Sequence, residues 1–495
     1  MELFQKIKLN KEDSQHLYIQ LYKAVKEMIL LGELKGEDRL PPVRRMSEML
    51  GVNNVTVVKA YQLLEQETLV YKRIGSGTYI SPGIIKQSQL TSELDGGSSR
   101  DGLLNQGHVR LERDMINFAS ATPSADLFPV EDFKQVINEV LDRDKGNAFT
   151  YQESQGYFPL RLILKEYIAN HGIKSDVENI QIISGAQQGI DIIAKAFLNY
   201  GDYVILESPS YTGAIAAFQT RGARIIDIPL EEDGLNLELL ESKIKTHKPK
   251  LLYVMPNFQN PTGVSYSREK KTKIMEICKR YNVYIVEDDY LSDLSFYSED
   301  NTTLKSIDAH DQVIYIKSFS KIFMPGLRLG FLVIPKLFYN NLLVAKHASD
   351  ISTSGLIQRA FQLYLSKGIW ANHLEYIEKS YKERFDKMVD CIEAYVPKEV
   401  QYNLPKGGLN FWFKLPRAAA IREFTELAQR ENIAIAPGHL FFLNNSQANY
   451  FRLSIAALTI DEIELGMLKL SNLIKNYISN NESHDAHENI FNPIL

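Results

Sequence analysis

From about residue 115 onward the chain alternates short apolar runs with helical stretches, and this alternation constrains the fold more than any other feature. The runs fall at 180–184, 203–206, 223–228, 251–255, 284–287, 313–316 and 331–334. Strand-like runs that alternate with helices build an α/β architecture around a mostly parallel sheet. Residues 370–480 differ: they hold longer helices and two short strands, at 408–413 and 433–436, which predicts a smaller α+β subdomain. A chain of 495 residues exceeds one core of ordinary size, so two or three domains are expected.

The first 82 residues have another texture. Residues 17–34 carry Leu17, Leu21, Val25, Met28 and Ile29 at helical spacing. A turn through Pro41-Pro42 follows, then a short helix over 43–50 closed by Gly51, and a third helix from about 53 to 67 with Asn53 or Asn54 as its cap. Residues 69–74 and 78–80 read as two strands joined by Gly75-Ser76-Gly77, a hairpin. Three helices and a hairpin make a winged helix-turn-helix. Residues 83–114 are rich in Ser, Gly, Gln and Asp without apolar periodicity, which reads as a linker. The expected organisation is therefore a winged helix at 1–82, a linker at 83–114, an α/β domain at 115–480 and a polar, frayed tail at 481–495. Within the α/β domain, about 145–370 forms the large part, and about 371–480 with the N-terminal segment forms the small part.

Two cysteines, Cys278 and Cys391, imply no disulfide or metal framework. No apolar run reaches the roughly 18 residues that span a bilayer, and the first residues lack a signal-peptide core. A cytoplasmic protein is expected. The net charge of −5 argues against nucleic-acid binding by the chain as a whole. Residues 1–82, however, carry 12 Lys and Arg against 10 Asp and Glu, so charge is read domain by domain.

The run Ser318-Phe319-Ser320-Lys321 sets one lysine among small hydroxyl residues, with Pro325-Gly326 and Arg328 just after it. A largely buried lysine loses its proton more easily and can attack an aldehyde. Two serines and an arginine are what a phosphate needs. Together they suggest a pyridoxal 5'-phosphate site with Lys321 as the Schiff-base lysine; the plain alternative is a lysine at a loop tip. Other motifs converge on it. The segment 184–189, Ser-Gly-Ala-Gln-Gln-Gly, follows a strand and opens a helix at 190–199, offering backbone N–H groups to a phosphate. Tyr211 follows the next strand and can cover a ring face, although alone it reads as a packed surface tyrosine. Asn260, in a rigid turn after another strand, can donate to a phenolic oxygen. Asp288 closes a further strand, where a carboxylate can keep a pyridine nitrogen protonated. The ends of parallel strands are where such sheets bind ligands.

Residues 15–81 resemble the GntR-type winged helix through Leu40-Pro41-Pro42-Val43-Arg44-Arg45, the helix with Thr56, Lys59 and Tyr61, and Arg73-Ile74-Gly75-Ser76-Gly77-Thr78-Tyr79. The resemblance implies DNA contacts from Arg44, Arg45, Asn53, Asn54, Thr56, Lys59, Arg73 and the wing tip at Gly75, Ser76 and Gly77. Where the family has Ser-Arg or Thr-Arg, this chain has Asn53-Asn54, so a cation is replaced by an amide that can read adenine.

Residues 115–475 resemble the fold-type I, class I aminotransferases. That resemblance implies the internal aldimine at Lys321 and pairing of Asp288 with the pyridine nitrogen. It further implies Asn260 and Tyr290 on the ring's phenolic oxygen, Tyr211 stacked on the ring, and Gly185, Ala186, Gln187, Ser318, Ser320 and Arg328 around the phosphate. Tyr151 matches the tyrosine that reaches the partner subunit's phosphate, and Arg452 the arginine that clamps a substrate α-carboxylate. Cis peptides are expected at Ser208-Pro209 and Asn260-Pro261. A GntR-type winged helix joined to such a domain resembles the MocR/GabR subfamily of bacterial regulators. The layout implies a head-to-tail homodimer that binds a double-stranded DNA operator and senses a small amino compound by external aldimine formation, with vestigial or partial transaminase activity. The alternative is a working class I aminotransferase carrying an accessory DNA-binding domain.

Overall fold

The computed structural model describes Phe4, Ile7, Leu9 and residues 16–30, 34, 38–66, 69–73, 76–81, 115–297, 300–416, 421–443 and 449–488. The chain divides into two compact units, Met1–Asp101 and Gly102–Leu495.

The first unit contains α1 (Leu17–Leu30), α2 (Val43–Leu50), α3 (Asn54–Gln66), β1 (Val70–Arg73) and β2 (Gly77–Ile80). Gly51 ends α2 at φ 62°, a left-handed conformation that a Cβ would strain. Asn53 opens α3 by accepting the Val55 N–H at 3.0 Å. Leu21, Val25, Met46, Val57, Ala60, Leu64, Val70 and Ile80 share one core. The Tyr61 hydroxyl, buried in it, donates to the Pro41 carbonyl at 2.8 Å, which ties α3 to the turn before α2. The two strands pair antiparallel, Val70 opposite Ile80 and Arg73 opposite Gly77. Gly77 thus lies in β2 rather than in the connecting turn, because its pairing with Arg73 continues the ladder; Gly75 lies outside the described residues, as does the whole of the expected linker.

The second unit is built on an eight-stranded sheet in the order β4-β11-β10-β9-β8-β5-β6-β7. In chain order these strands are β4 (Ile180–Ile183), β5 (Tyr203–Ser208), β6 (Arg224–Glu231), β7 (Gly234–Leu235), β8 (Leu251–Val254), β9 (Tyr284–Asp289), β10 (Val313–Ser318) and β11 (Gly330–Val333). Pairs β10–β9, β9–β8, β8–β5 and β5–β6 are parallel. β11 runs antiparallel to both of its neighbours, and β7 closes a hairpin on β6. Successive residues of a strand enter different cores: Val204, Leu206, Leu251 and Tyr253 join one, Ile205, Leu252 and Val254 the other. Both faces are covered, which is why these strands read as unbroken apolar runs.

A second, antiparallel sheet has the order β12-β13-β16-β15, from β12 (Gln401–Asn403), β13 (Asn410–Lys414), β15 (Ala436–Pro437) and β16 (Tyr450–Ser454). β3 (Ile116–Asn117) pairs with β14 (Ile433–Ala434). Long helices Ile369–Tyr395 and Ile460–Glu488 accompany this part. The last helix runs well past residue 480, where a frayed tail was expected. Its earlier turns are anchored by Ile463, Met467, Leu470 and Ile474, and once nucleated a helix propagates at one backbone bond per added residue. Residues 489–495 lie outside the described residues. The bonds Ser208-Pro209 and Asn260-Pro261 are both cis, as expected.

Candidate functional site

The helix expected at 190–199 begins earlier, at Ala186, and ends at Phe197. Gly185 is its N-cap at φ 81°. The helix can start there because Gly189 has no Cβ; one at this position would meet Ile183 at 2.8 Å and Leu332 at 3.1 Å. Ala186 and Gln187 therefore occupy the first turn, whose N–H groups have no partner four residues back and suit an anion. Arg328, in a left-handed turn at φ 55°, donates from Nη2 to the Ser184 carbonyl at 3.0 Å. A Cβ on Gly185 would sit 2.6 Å from that nitrogen, so glycine is what lets the guanidinium lie on the turn. Strand register completes the cradle: Ser318 is opposite Gly330, and Gly330 is opposite Ile183. The Ser318 hydroxyl oxygen accepts the Ser320 N–H at 3.3 Å. The sheet thus gathers Gly185–Gln187, Ser318, Ser320 and Arg328 from three segments.

Asp288, near the end of β9, is buried. Its Oδ2 accepts the Tyr253 hydroxyl at 2.7 Å, while its Oδ1 has no partner. Burial pushes its carboxyl up to about 7, against the pull of the Tyr253 hydrogen bond. Tyr211 donates to Gln187 Oε1 at 3.2 Å, and Gln187 Nε2 donates to the Gly213 carbonyl at 2.9 Å. The Gln187 side chain is thereby committed to orienting Tyr211, and only its backbone N–H is left for an anion. Asn260 Oδ1 accepts from Arg452 Nη1 at 2.9 Å, which leaves the amide NH2 as its donor. Tyr290 donates to the Phe258 carbonyl at 2.8 Å and accepts from Asn410 Nδ2 at 2.9 Å.

Lys321, half-buried, donates from Nζ to the Ala121 carbonyl at 2.6 Å. Burial first, then the charges of Arg452 and Arg328, bring its ammonium down to about 8. Arg452, on β16, is buried and donates from Nη2 to the Ala119 carbonyl at 2.5 Å. Its Nε has no partner, and its guanidinium lies 5.2 Å from the Phe441 ring centroid. Among the described residues no carboxylate forms an ion pair with it, and burial lowers it to about 10. A buried cation with an unfilled donor favours an incoming anion. Both cations rest on one loop, which Asn117 shapes by accepting the N–H groups of Ala119 and Ser120.

This constellation fits pyridoxal phosphate: a phosphate-sized cradle with a guanidinium, an orphaned carboxylate oxygen, an aromatic ring held in place, and a lysine that is readily neutral. Tyr151 is the exception. It is 84% exposed, so one chain by itself does not bring it to the site. Sequence reasoning missed Tyr253, Gln187 as the Tyr211 orienter, Asn410 and the Ala119–Ala121 loop. Tyr253 left a signal, a hydroxyl inside an apolar strand that must find a partner. The loop's carbonyls left none.

On the first unit, Arg44, Arg45, Lys59 and Arg73 are exposed and Thr56 is half-buried. Lys59 Nζ lies 5.3 Å from the Tyr18 ring centroid, and the Arg73 guanidinium 5.1 Å from that of Tyr79. Ser47 Oγ is 2.6 Å from Asn54 Oδ1, which joins α2 to the start of α3. At the wing, Ser76 Oγ is 2.6 Å from the Tyr79 hydroxyl. A Cβ on Gly77, at φ 132°, would meet Arg39 Nε at 2.9 Å, so glycine lets an arginine from the segment before α2 lie against the wing, a residue the sequence reading did not single out.

Comparison with known proteins agrees with both halves. Residues 113–469 match the family of class I and II aminotransferases, and residues 17–80 match the gntR family of bacterial regulatory proteins. An aromatic-amino-acid aminotransferase of Thermococcus litoralis is 32% identical over 73% of this chain and 88% of its own length. The HTH-type transcriptional regulator YdfD of Bacillus subtilis is 28% identical over 93% of this chain and 97% of its own length, so it spans both units. The crystal structure of a multiple substrate aminotransferase from Thermococcus profundus superposes with a TM-score of 0.73 at 31% identity, covering 78% of this chain and 96% of that one. The chain belongs to the class I and II aminotransferase family, joined in one polypeptide to a winged helix of the bacterial gntR regulatory family.

Proposed function

We propose that this chain is a pyridoxal phosphate-dependent transcriptional regulator of the MocR/GabR kind, which binds an operator through its winged helix and senses an amino compound in its second unit. The observation that carries the reading is the pairing, in one chain, of a helix-turn-helix with a site that holds Lys321, Asp288 and Arg452 together, the last without an ion-pair partner among the described residues. Regulator-named relatives aligned over both units support it.

When bound, the cofactor supplies an aldehyde that captures amines and a ring that withdraws electrons. The first-turn N–H groups after Gly185, with Ser318, Ser320 and Arg328, would hold its phosphate, and Asp288, whose Oδ1 has no partner, would pair with its ring nitrogen. Tyr211 would cover the ring, and the Asn260 NH2 would serve the phenolic oxygen, with Tyr290 joining it only by giving up its bond to the Phe258 carbonyl. Lys321, with its ammonium at about 8, keeps a neutral amine fraction near neutral pH and can accept a proton from a bound amine. Arg452, whose Nε has no partner, would take the ligand's carboxylate as a bidentate pair. A ligand that binds one conformation better then biases the chain's DNA affinity by that difference. We further propose a cytoplasmic, head-to-tail homodimer in which Tyr151 serves the neighbouring subunit's phosphate.

The test is a gel shift on a duplex from the gene's own upstream region, with and without a panel of amino compounds, alongside the visible spectrum of the protein. The reading expects a specific shift whose strength changes with the compounds that change the spectrum. Sustained multiple-turnover transamination without specific DNA binding would replace it with the accessory-domain aminotransferase.

A further inference from the structure

Helix α3 turns two valines to solvent: Val55 is 58% exposed and Val58 39% exposed. On its other side Val57, Ala60, Tyr61 and Leu64 fill the core of the first unit. At about 100° per residue, Val55, Val58, Lys59 and Gln62 form one stripe along the helix, and Lys59 and Gln62 are exposed as well. β-branched residues are weak helix formers, so neither helix propensity nor the core accounts for valine at these positions. The polar side chains at the helix start are already engaged within the unit. Asn53 Oδ1 accepts the Val55 N–H, and Asn54 Oδ1 lies 2.6 Å from Ser47 Oγ. Bidentate recognition of adenine needs the amide oxygen as well as its NH2, and each of these oxygens already accepts one hydrogen bond that orients it within the unit. What remains on the stripe is two methyl-bearing side chains, one cation and one amide.

The exposed arginines Arg44, Arg45 and Arg73 of the same unit make its partner a polyanion. In a helix-turn-helix the first residues of the second helix face base edges in the major groove. The apolar group displayed there is the C5-methyl of thymine.

We propose that Val55 and Val58 read thymine methyl groups in the major groove, so that the half-site beneath the start of α3 is rich in A·T pairs. This rests on the DNA-binding reading above and adds what the helix recognises. The test uses the full chain and two versions of the upstream duplex, one with thymine and one with deoxyuridine throughout, since uracil keeps every hydrogen-bonding group and lacks only the methyl. Each methyl read contributes roughly four-fold in affinity, so the wild type prefers the thymine duplex by roughly 15-fold for two contacts. The double variant Val55→Ala, Val58→Ala loses that preference and binds the uracil duplex as the wild type does. Both positions are exposed and alanine is a better helix former, so the variant keeps its fold, checked by its thermal melt. Equal wild-type affinity for the two duplexes overturns the proposal. So does a thymine preference that persists in the double variant, because the methyl then acts through DNA shape. If the wild type shifts neither duplex, the DNA-binding reading itself falls.

Discussion

The two candidate binding regions are built on opposite physical plans. Around Lys321 the functional groups are buried and held by other residues: Asp288 by Tyr253, Tyr211 by Gln187, Arg452 by Asn260 and the Ala119 carbonyl. On the winged helix the cations Arg44, Arg45, Lys59 and Arg73 are exposed, and Lys59 and Arg73 lie against the Tyr18 and Tyr79 rings. Burial makes each charge in the first region costly unless a ligand completes it, so few residue types are tolerated there. Exposure makes each contact in the second region cheap and interchangeable, so its specificity is spread over several weak terms.

That contrast can be broken by mutation, and the largest effect is expected at Lys321. Lys321→Ala should abolish the aldimine absorbance of the cofactor-loaded protein while leaving affinity for the upstream duplex within about two-fold, measured by spectrophotometry and gel shift. An accompanying loss of DNA binding would mean that the two regions are not separable. Next comes Arg452→Ala, which removes a charge-assisted carboxylate contact and should weaken a carboxylate-bearing effector by roughly 100-fold or more in spectral titration. Arg452→Lys should restore little of this, because a lysine cannot reproduce the fork.

A smaller effect is expected from Gly185→Ala. The new Cβ would meet the Arg328 guanidinium at φ 81°, a strain of about 1–3 kcal/mol, and cofactor affinity should fall by about ten-fold or more in equilibrium dialysis. The pH dependence of cofactor uptake should be of similar size. Lys321 must be neutral to react, and its ammonium is lowered to about 8. The rate of cofactor uptake by cofactor-free protein should therefore rise with pH through about 8 and level off above it, by roughly ten-fold between pH 7 and 9. A rate that keeps rising about ten-fold per pH unit up to and beyond pH 9 would mean that the lysine is not shifted.

The smallest effects belong to the exposed region. Arg44→Ala should weaken every duplex alike and reduce the slope of log affinity against log salt by about 1. Asn53→Ala should cost the α3 cap about 1 kcal/mol, read as a lower melting temperature for the first unit. A sequence-dependent loss from Arg44→Ala would move that residue from backbone contact to base readout and sharpen the comparison.

The same asymmetry governs what could be read without coordinates. The strand runs were legible because strands covered on both faces have no choice but apolar side chains, as β8 illustrates with Leu251–Val254 wholly buried. Lys321, Asp288 and Asn260 were legible because each stands in a local motif at the end of such a strand. β16 was not read as a strand, since Tyr450–Ser454 sets an arginine at its centre and the reason for it lies in Asn260 and Ala119, far away in sequence. The start of the Ala186–Phe197 helix was placed four residues late because Gly189 reads locally as part of a turn, whereas it serves close contact with Ile183 and Leu332.

By itself, then, the sequence determined the alternation of elements, the residue types of the site and the two-part layout, because periodicity, turn chemistry and motif spacing are local properties. Only the tertiary structure decided that Asp288 keeps one oxygen unfilled, that Gln187 serves Tyr211, and that one loop, Ala119–Ala121, touches both Lys321 and Arg452. It also decided that the two asparagines opening α3 bond within their own unit and leave Val55 and Val58 outward. The reason is common to all of these: whether a donor or acceptor is already satisfied depends on neighbours brought close by packing, and no local pattern encodes which neighbour arrives first.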